Sequence, residues 1–196
     1  MLAIDAEAAD LLFYEAHTTS SFTDDPVSDE QIEDIWNLIR WAPTGGNASP
    51  GRLLLVRSPG ARERLVQHMG ESNRAKTLAA PLTVIVAADT RYHELWPTIA
   101  PQRQEAADRL EADPEARERL AMLSGTLVTA YFLIGVRAAG LAAGPMGGFD
   151  RKGVDQEFFD DGRWRSILIV NVGKAAAGGH GERLGRLSFE QVSRIV

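Results

Sequence analysis

Gly144-Pro145-Met146-Gly147-Gly148-Phe149-Asp150 directly follows the longest apolar helix pattern in the chain. Its glycines and proline read as a turn, and they let another molecule approach the backbone closely. A second stretch of this kind lies about a hundred residues earlier, Trp41-Ala42-Pro43-Thr44-Gly45-Gly46-Asn47-Ala48-Ser49-Pro50. Taken singly, each is explained by chain direction alone: Pro43 stops a helix, and Asp150 opens the next one. Taken together they offer exposed backbone donors to something flat or phosphorylated. Neither carries a nucleophile beside a base. Chemistry at such a place belongs to a bound cofactor rather than to a side chain.

Outward from these stretches the pattern is that of a layered α+β domain. Ala8, Leu11, Leu12 and Ala16 give a helix period over Asp5 to Ala16, which His17-Thr18-Thr19-Ser20-Ser21 breaks. Ser28 with Gln31 forms a capping box ahead of Ile32, Ile35, Trp36 and Ile39. Leu53 to Val56 reads as a short strand, Ala61 to Met69 as a helix, and Leu82 to Ala88 as a central strand. Asp89 to Pro101 is irregular, and Gln102 to Ala112 is a polar surface helix or a mobile lid; substrate choice would reside in the whole segment from Asp89 to Ala112. Glu115 to Ala139 predicts a helix of about seven turns. From Leu120 on it is apolar nearly all round, which predicts burial on all sides and a subunit interface. Asp150 caps a short helix with Val154 and Phe158 inside, Ile167 to Val172 is a second strong strand, and Lys174 to Gly181 is a flexible loop. The expectation is one domain over residues 1–196.

Composition narrows the class. The chain has 196 residues, 44% hydrophobic and 24% charged, with a net charge of −6. That is a soluble globular balance, and its acidic sign argues against nucleic-acid and membrane partners. Cysteine is absent, so disulfides and thiolate catalysis are excluded. Met1-Leu2-Ala3-Ile4-Asp5 lacks the features of a signal peptide, and the expected location is cytoplasmic. The uncharged run Ala121 to Val136 falls short of the roughly 20 residues a bilayer requires. Neither a Walker A sequence nor G-x-G-x-x-G nor G-x-S-x-G occurs. His17, His68, His93 and His180 lie too far apart to suggest a metal site.

The order of these features resembles the nitroreductase family of FMN-dependent enzymes. The resemblance runs through Pro26-Val27-Ser28-Asp29-Glu30, Trp41 to Pro50, the Leu78 to Ala87 region, Gly140-Leu141 through Gly144-Pro145-Met146, Gly148-Phe149-Asp150 and Arg186-Leu187-Ser188-Phe189-Glu190. Within the family the chain is most similar to the malonic semialdehyde reductases of pyrimidine degradation. The resemblance implies a mixed central sheet flanked by helices, in an intertwined homodimer with the long helix around Leu127 at its interface. It implies FMN as cofactor, NADPH or NADH as hydride donor, and a ping-pong reduction of malonic semialdehyde to 3-hydroxypropionate. A broad nitro- or quinone reductase is the alternative, and a flavin binder without turnover is another.

The resemblance also assigns residues. Pro43, Thr44 and Asn47 match a first flavin loop. Asn73 and Lys76 match a pair at the ring edge. Pro145, Met146, Gly147 and Gly148 match the loop over the ring, with the Gly147 N–H aimed at flavin N5. Arg186, with Arg183, matches the phosphate contact. The family's N-terminal Arg-Arg-Ser-x-Arg tract departs here: its arginine positions hold Ala16, His17 and Ser20, and its serine position holds Thr18. Each lost charged donor costs about 1.5–3 kcal/mol of grip on a phosphate. The resulting expectation is weaker FMN binding, or partial substitution by His17, with the Thr18 hydroxyl still able to donate.

Overall fold

A computed structural model describes residues 2–196, so Met1, where the leader reading begins, lies outside it. The helices are α1 (Ala6–Ala9), α2 (Asp29–Ile39), α3 (Pro59–Gln67), α4 (Glu71–Ala79), α5 (Trp96–Ile99), α6 (Gln104–Ala112), α7 (Pro114–Ala138), α8 (Arg151–Phe158) and α9 (Phe189–Val192). The strands are β1 (Gly51–Val56), β2 (Leu82–Asp89), β3 (Ala142–Met146) and β4 (Trp164–Gly173). They form one sheet in the order β1-β2-β4-β3. All named strands pair antiparallel; among the described residues, parallel pairing is confined to a bridge between Thr18 and Ala143.

Period-two alternation along the central strands divides the core. Leu82, Val84 and Val86 join Ile32, Ile35 and Ile39 of α2 and Phe132 and Val136 of α7 on one face. Ile85, Ala87 and Ile169 join Leu65, Val66 and Val154 on the other, beneath α3 and α8. The register slips between Val86 and Ala87 opposite β4. That bulge turns Ile167 into a third cluster with Tyr92, Trp96 and Ala121.

Several sequence expectations are corrected by this arrangement. Gly144-Pro145-Met146 is not a turn but part of edge strand β3, where a proline is tolerated because its missing N–H faces no neighbour. The stretch around Asn73 and Lys76, to which the sequence pattern assigns no element, is helix α4. The first helix is only one turn, capped by Asp5, and continues as a wider π-type turn to Tyr14. Asp150 stands at the start of α8, but its side chain does not cap it. The loop after β4 is stapled to the N-terminal segment: Ala176 N donates to Ser21 O and Thr23 N to Lys174 O.

The long helix α7 is buried on one face only. Ala121, Gly125, Val128, Phe132 and Val136 pack inward, while Leu123, Leu127 and Tyr131 form an exposed apolar stripe. α7 is long and apolar enough to cross a bilayer, yet 44% of its most apolar window is buried within the protein. Its contacts with α2 and the sheet strands are those of a core helix.

The segment from Asp89 to Ala112 is anchored by ion pairs. The Asp89 side chain is 2% exposed and bonds Arg52 at 2.7 Å and Arg163 at 2.9 Å. Arg163 continues to Glu94 at 2.9 Å. Glu111, at the end of α6, holds Arg117 of α7 at 2.9 Å and His93 at 2.7 Å. Burial pushes the Asp89 carboxyl up, but the hydrogen bonds from Arg163 and from the Arg91 N–H, with the Arg52 charge, hold it below the usual carboxylate range.

Candidate functional site

The assigned residues fall into groups set by strand position. The first gathers at the start of β3. Thr18 bridges Ala143, and the Thr19 N–H donates to Ala143 O at 3.0 Å. This crossing lays the N-terminal segment over the strand, and Gly144 makes it possible, because a Cβ there would overlap the Thr19 carbonyl oxygen. Arg183 reaches back from the C-terminal tract, donating to Ala16 O at 3.0 Å and facing His17 Nε2 at 3.3 Å. Arg186 folds over its own backbone, donating to Leu184 O at 2.9 Å. Ala16, His17, Thr18, Arg183 and Arg186 line a cavity of about 270 Å³. Ser20 turns its hydroxyl to Gly179 O instead.

The second group gathers at the far end of β3. Gly147 and Gly148 are exposed, and a Cβ at Gly147 would meet nothing within 4 Å. α4 holds this loop in place. Asn73 Nδ2 donates to Gly148 O at 3.1 Å, and the Gly70 N–H donates to the same oxygen at 2.9 Å. Lys76 is fixed through its backbone, whose carbonyl accepts from Asn171 Nδ2 at 3.1 Å. Asn171 is 1% exposed and also accepts from Thr83 Oγ1 at 2.8 Å. Pro145 is half-buried on the strand. The Met146 side chain is not on the open surface: it is buried in the core against the Thr77 hydroxyl.

The third group, Pro43, Thr44 and Asn47, lies elsewhere. It precedes β1, at the opposite edge of the sheet from β3. Trp96 Nε1 donates to Asn47 O at 3.1 Å, and Ser124 Oγ accepts from the Gly45 N–H at 3.1 Å. Thr44 Oγ1 accepts from the Ser49 N–H, closing the turn internally. Asn47 and Ser49 adopt left-handed backbone, with φ of 56° and 46°, a conformation asparagine tolerates better than most residues. Within one chain, therefore, β3 connects the first two groups, and the third stands apart.

Thr18 pairs with Ala143, and Gly147 follows about 13 Å further along the strand at ~3.3 Å per residue. One end offers guanidinium, imidazole and hydroxyl donors. The other offers an open glycine surface. A flat molecule with an anionic tail matches that donor set. The family model described as "Nitroreductase family" matches residues 14–174.

The chain belongs to the nitroreductase family. A provisionally named NADH dehydrogenase/NAD(P)H nitroreductase from Streptomyces griseus is 49% identical over 195 residues, covering 100% of this chain and 99% of the relative. Among solved structures, a nitroreductase family protein from Streptococcus pneumoniae superposes with a TM-score of 0.82 at 20% identity, covering 97% of this chain and 98% of that one. A provisionally named nitroreductase from Exiguobacterium sibiricum, in complex with FMN, superposes with a TM-score of 0.83 at 18% identity, covering 100% and 99%. These superpositions establish the fold, a nitroreductase-like antiparallel sheet flanked by helices.

Residue patterns missed some of the residues that the fold brings together here. Arg137 lines the cavity beside His17 and Arg183, although the pattern of α7 points only to its apolar face. The available signal was its isolation as the lone charge between Leu120 and Gly144. His180 stacks on His17 with ring centroids 3.9 Å apart. That pairing, like the Asn171 bond to α4, joins residues too distant in sequence for any local pattern to connect.

Proposed function

We propose that the protein is an FMN-dependent NAD(P)H oxidoreductase with ping-pong kinetics. The observation that carries this reading is the pairing of a cationic cavity and an open glycine loop at opposite ends of β3. The chemistry supplied by such a cofactor is hydride transfer from NAD(P)H, through flavin N5, to an electron-poor acceptor. The chain's own work is to hold and orient. Arg183, Arg186, His17 and Thr18 would grip the phosphate. The Gly147 N–H would donate to N5, while Asn73 fixes the neighbouring Gly148 carbonyl. Lys76 would favour negative charge at the ring edge. Donor and acceptor would take turns in one space, which gives ping-pong order.

The functional unit in this reading is a homodimer. Pro43, Thr44 and Asn47 sit at the opposite sheet edge from Gly147, so a second copy would bring that loop to the ring. The exposed Leu123, Leu127 and Tyr131 stripe supports the same arrangement. The acceptor we favour is malonic semialdehyde, reduced to 3-hydroxypropionate. A nitro or quinone acceptor is the second reading, favoured by the name of the Streptomyces griseus relative.

The test is an absorbance spectrum of purified protein with FMN, before and after anaerobic NADPH or NADH. We expect a flavin band that bleaches with the nucleotide and returns with malonic semialdehyde. Return with nitro compounds or quinones alone would assign the second reading. Absence of bound flavin at saturating FMN would sink the oxidoreductase proposal.

A further inference from the structure

The cavity at the start of β3 holds more positive charge than the C-terminal arginines provide. Arg137 enters it from α7 and spends one donor on Leu12 O at 2.9 Å. Burial pushes the Arg137 guanidinium down from its usual pKa, and the Arg183 charge adds to this. Arg186 faces the same space. Three guanidiniums, from Arg137, Arg183 and Arg186, line this cavity against the single carboxylate of Glu182, so the excess positive charge favours an incoming anion.

His17 is poised in the same place. A guanidinium cannot accept a hydrogen bond, so the Arg183 contact at 3.3 Å makes His17 Nε2 the acceptor and the ring neutral. Stacked on His180 with planes 19° apart, it also meets a second imidazole. Partial burial, then His180, then Arg183 hold its pKa below the ordinary histidine value, and Glu15 opposes them. Arg137 and Arg186 line the cavity as further cations, and Glu182 as an acid.

We propose that Arg137 supplies the cation missing from the N-terminal segment, and that a phosphate entering the cavity drives uptake of one proton onto His17. The proposal rests on the FMN reading above and adds residues and a proton to it. A phosphomonoester carries about −1.5 to −2 charge near neutral pH. When Arg183 swings from His17 Nε2 to the phosphate, that nitrogen is released. The neighbouring dianion favours its protonation, and the new N–H donates to a phosphate oxygen. Affinity for the phosphate therefore falls as pH rises through the pKa of His17 in the complex.

The experiment is titration of the protein with FMN and with riboflavin, which lacks the phosphate, read by flavin fluorescence across pH 6 to 8.5. Calorimetry in buffers of different ionisation enthalpy counts the protons taken up. The expected result is a FMN dissociation constant that rises about tenfold per unit of pKa shift traversed, with riboflavin flat. His17→Gln keeps the acceptor but cannot be protonated, so it should abolish the buffer-dependent heat. Arg137→Met should weaken FMN by about tenfold to a hundredfold while leaving riboflavin unchanged, with Arg137→Lys recovering part of the loss. A folded Arg137→Met protein that binds FMN like the parent, or FMN binding without proton uptake, would overturn this site but leave the cofactor reading intact. Failure of the parent to bind either flavin would overturn both.

Discussion

Gly144 shows how one residue sets the site. Its missing side chain lets the Thr18–Thr19 segment cross β3, and through that crossing Ala16 and His17 reach Arg183. Gly144→Ala would force a methyl into the Thr19 carbonyl. We expect a loss of about 1–3 kcal/mol in urea denaturation together with weaker FMN binding; a variant with parental stability and affinity would refute the crossing's role. Asp89 acts at the same scale. Its buried carboxylate is paired with Arg52 and Arg163, so Asp89→Asn would leave two guanidiniums short of a partner and cost about 3–5 kcal/mol. The folded pKa of Asp89 lies below its unfolded value. Its contribution is therefore fully present above the unfolded carboxylate range, near about 3.9, and is lost as pH falls through the lower folded value. Thermal denaturation between pH 7 and 3 should show an acid limb that is shallower in the Asn variant. Neither role is legible in sequence, where Asp89 merely ends an apolar run and Gly144 reads as a turn.

At the scale of elements, structure follows sequence where a local signal is complete. The Ser28–Gln31 box is present on both sides, with Gln31 N donating to Ser28 Oγ at 3.2 Å and Ser28 N to Gln31 Oε1 at 2.9 Å. β2 is buried along its whole length, as its unbroken apolar composition implied. The two part where composition and partner disagree. β3 reads as a loop because glycine and proline are poor strand formers, and only pairing with β4 makes it a strand. α4 escaped notice because its residues are mostly polar, and its burial is limited to Thr77. α7 presents both outcomes: its length was evident, but its outward stripe of Leu123, Leu127 and Tyr131 is left uncovered by the chain. Replacing Leu123 and Leu127 together by Glu should convert a dimer to a monomer in size-exclusion chromatography with light scattering. Flavin affinity should fall in parallel, because in the proposed homodimer the second copy brings its own Pro43–Asn47 loop to the ring. A double variant that remains dimeric with parental flavin affinity would rule out this face as the interface.

Across the whole molecule, the sheet order places cationic cavity and glycine loop on one edge strand and the Pro43–Asn47 turn at the other edge. The ion pairs joining Arg52, Asp89, Arg163 and Glu94, and those joining Glu111 to His93 and Arg117, tie the 89–112 segment down. A lid that opened over its full length would have to break the buried Asp89 pairs, at a cost of about 3–5 kcal/mol. Sequence by itself determined the α+β class, the central strands, the long helix and the family, because these rest on periodicity, capping and ordered motifs that act between near neighbours. Tertiary structure alone decided that Met146 points into the core, that Arg137 and His180 join His17, and that the assigned loops lie at opposite edges. Each of those outcomes depends on strand pairing and packing between distant segments, whose free energy belongs to the assembled fold and leaves no local pattern in the chain.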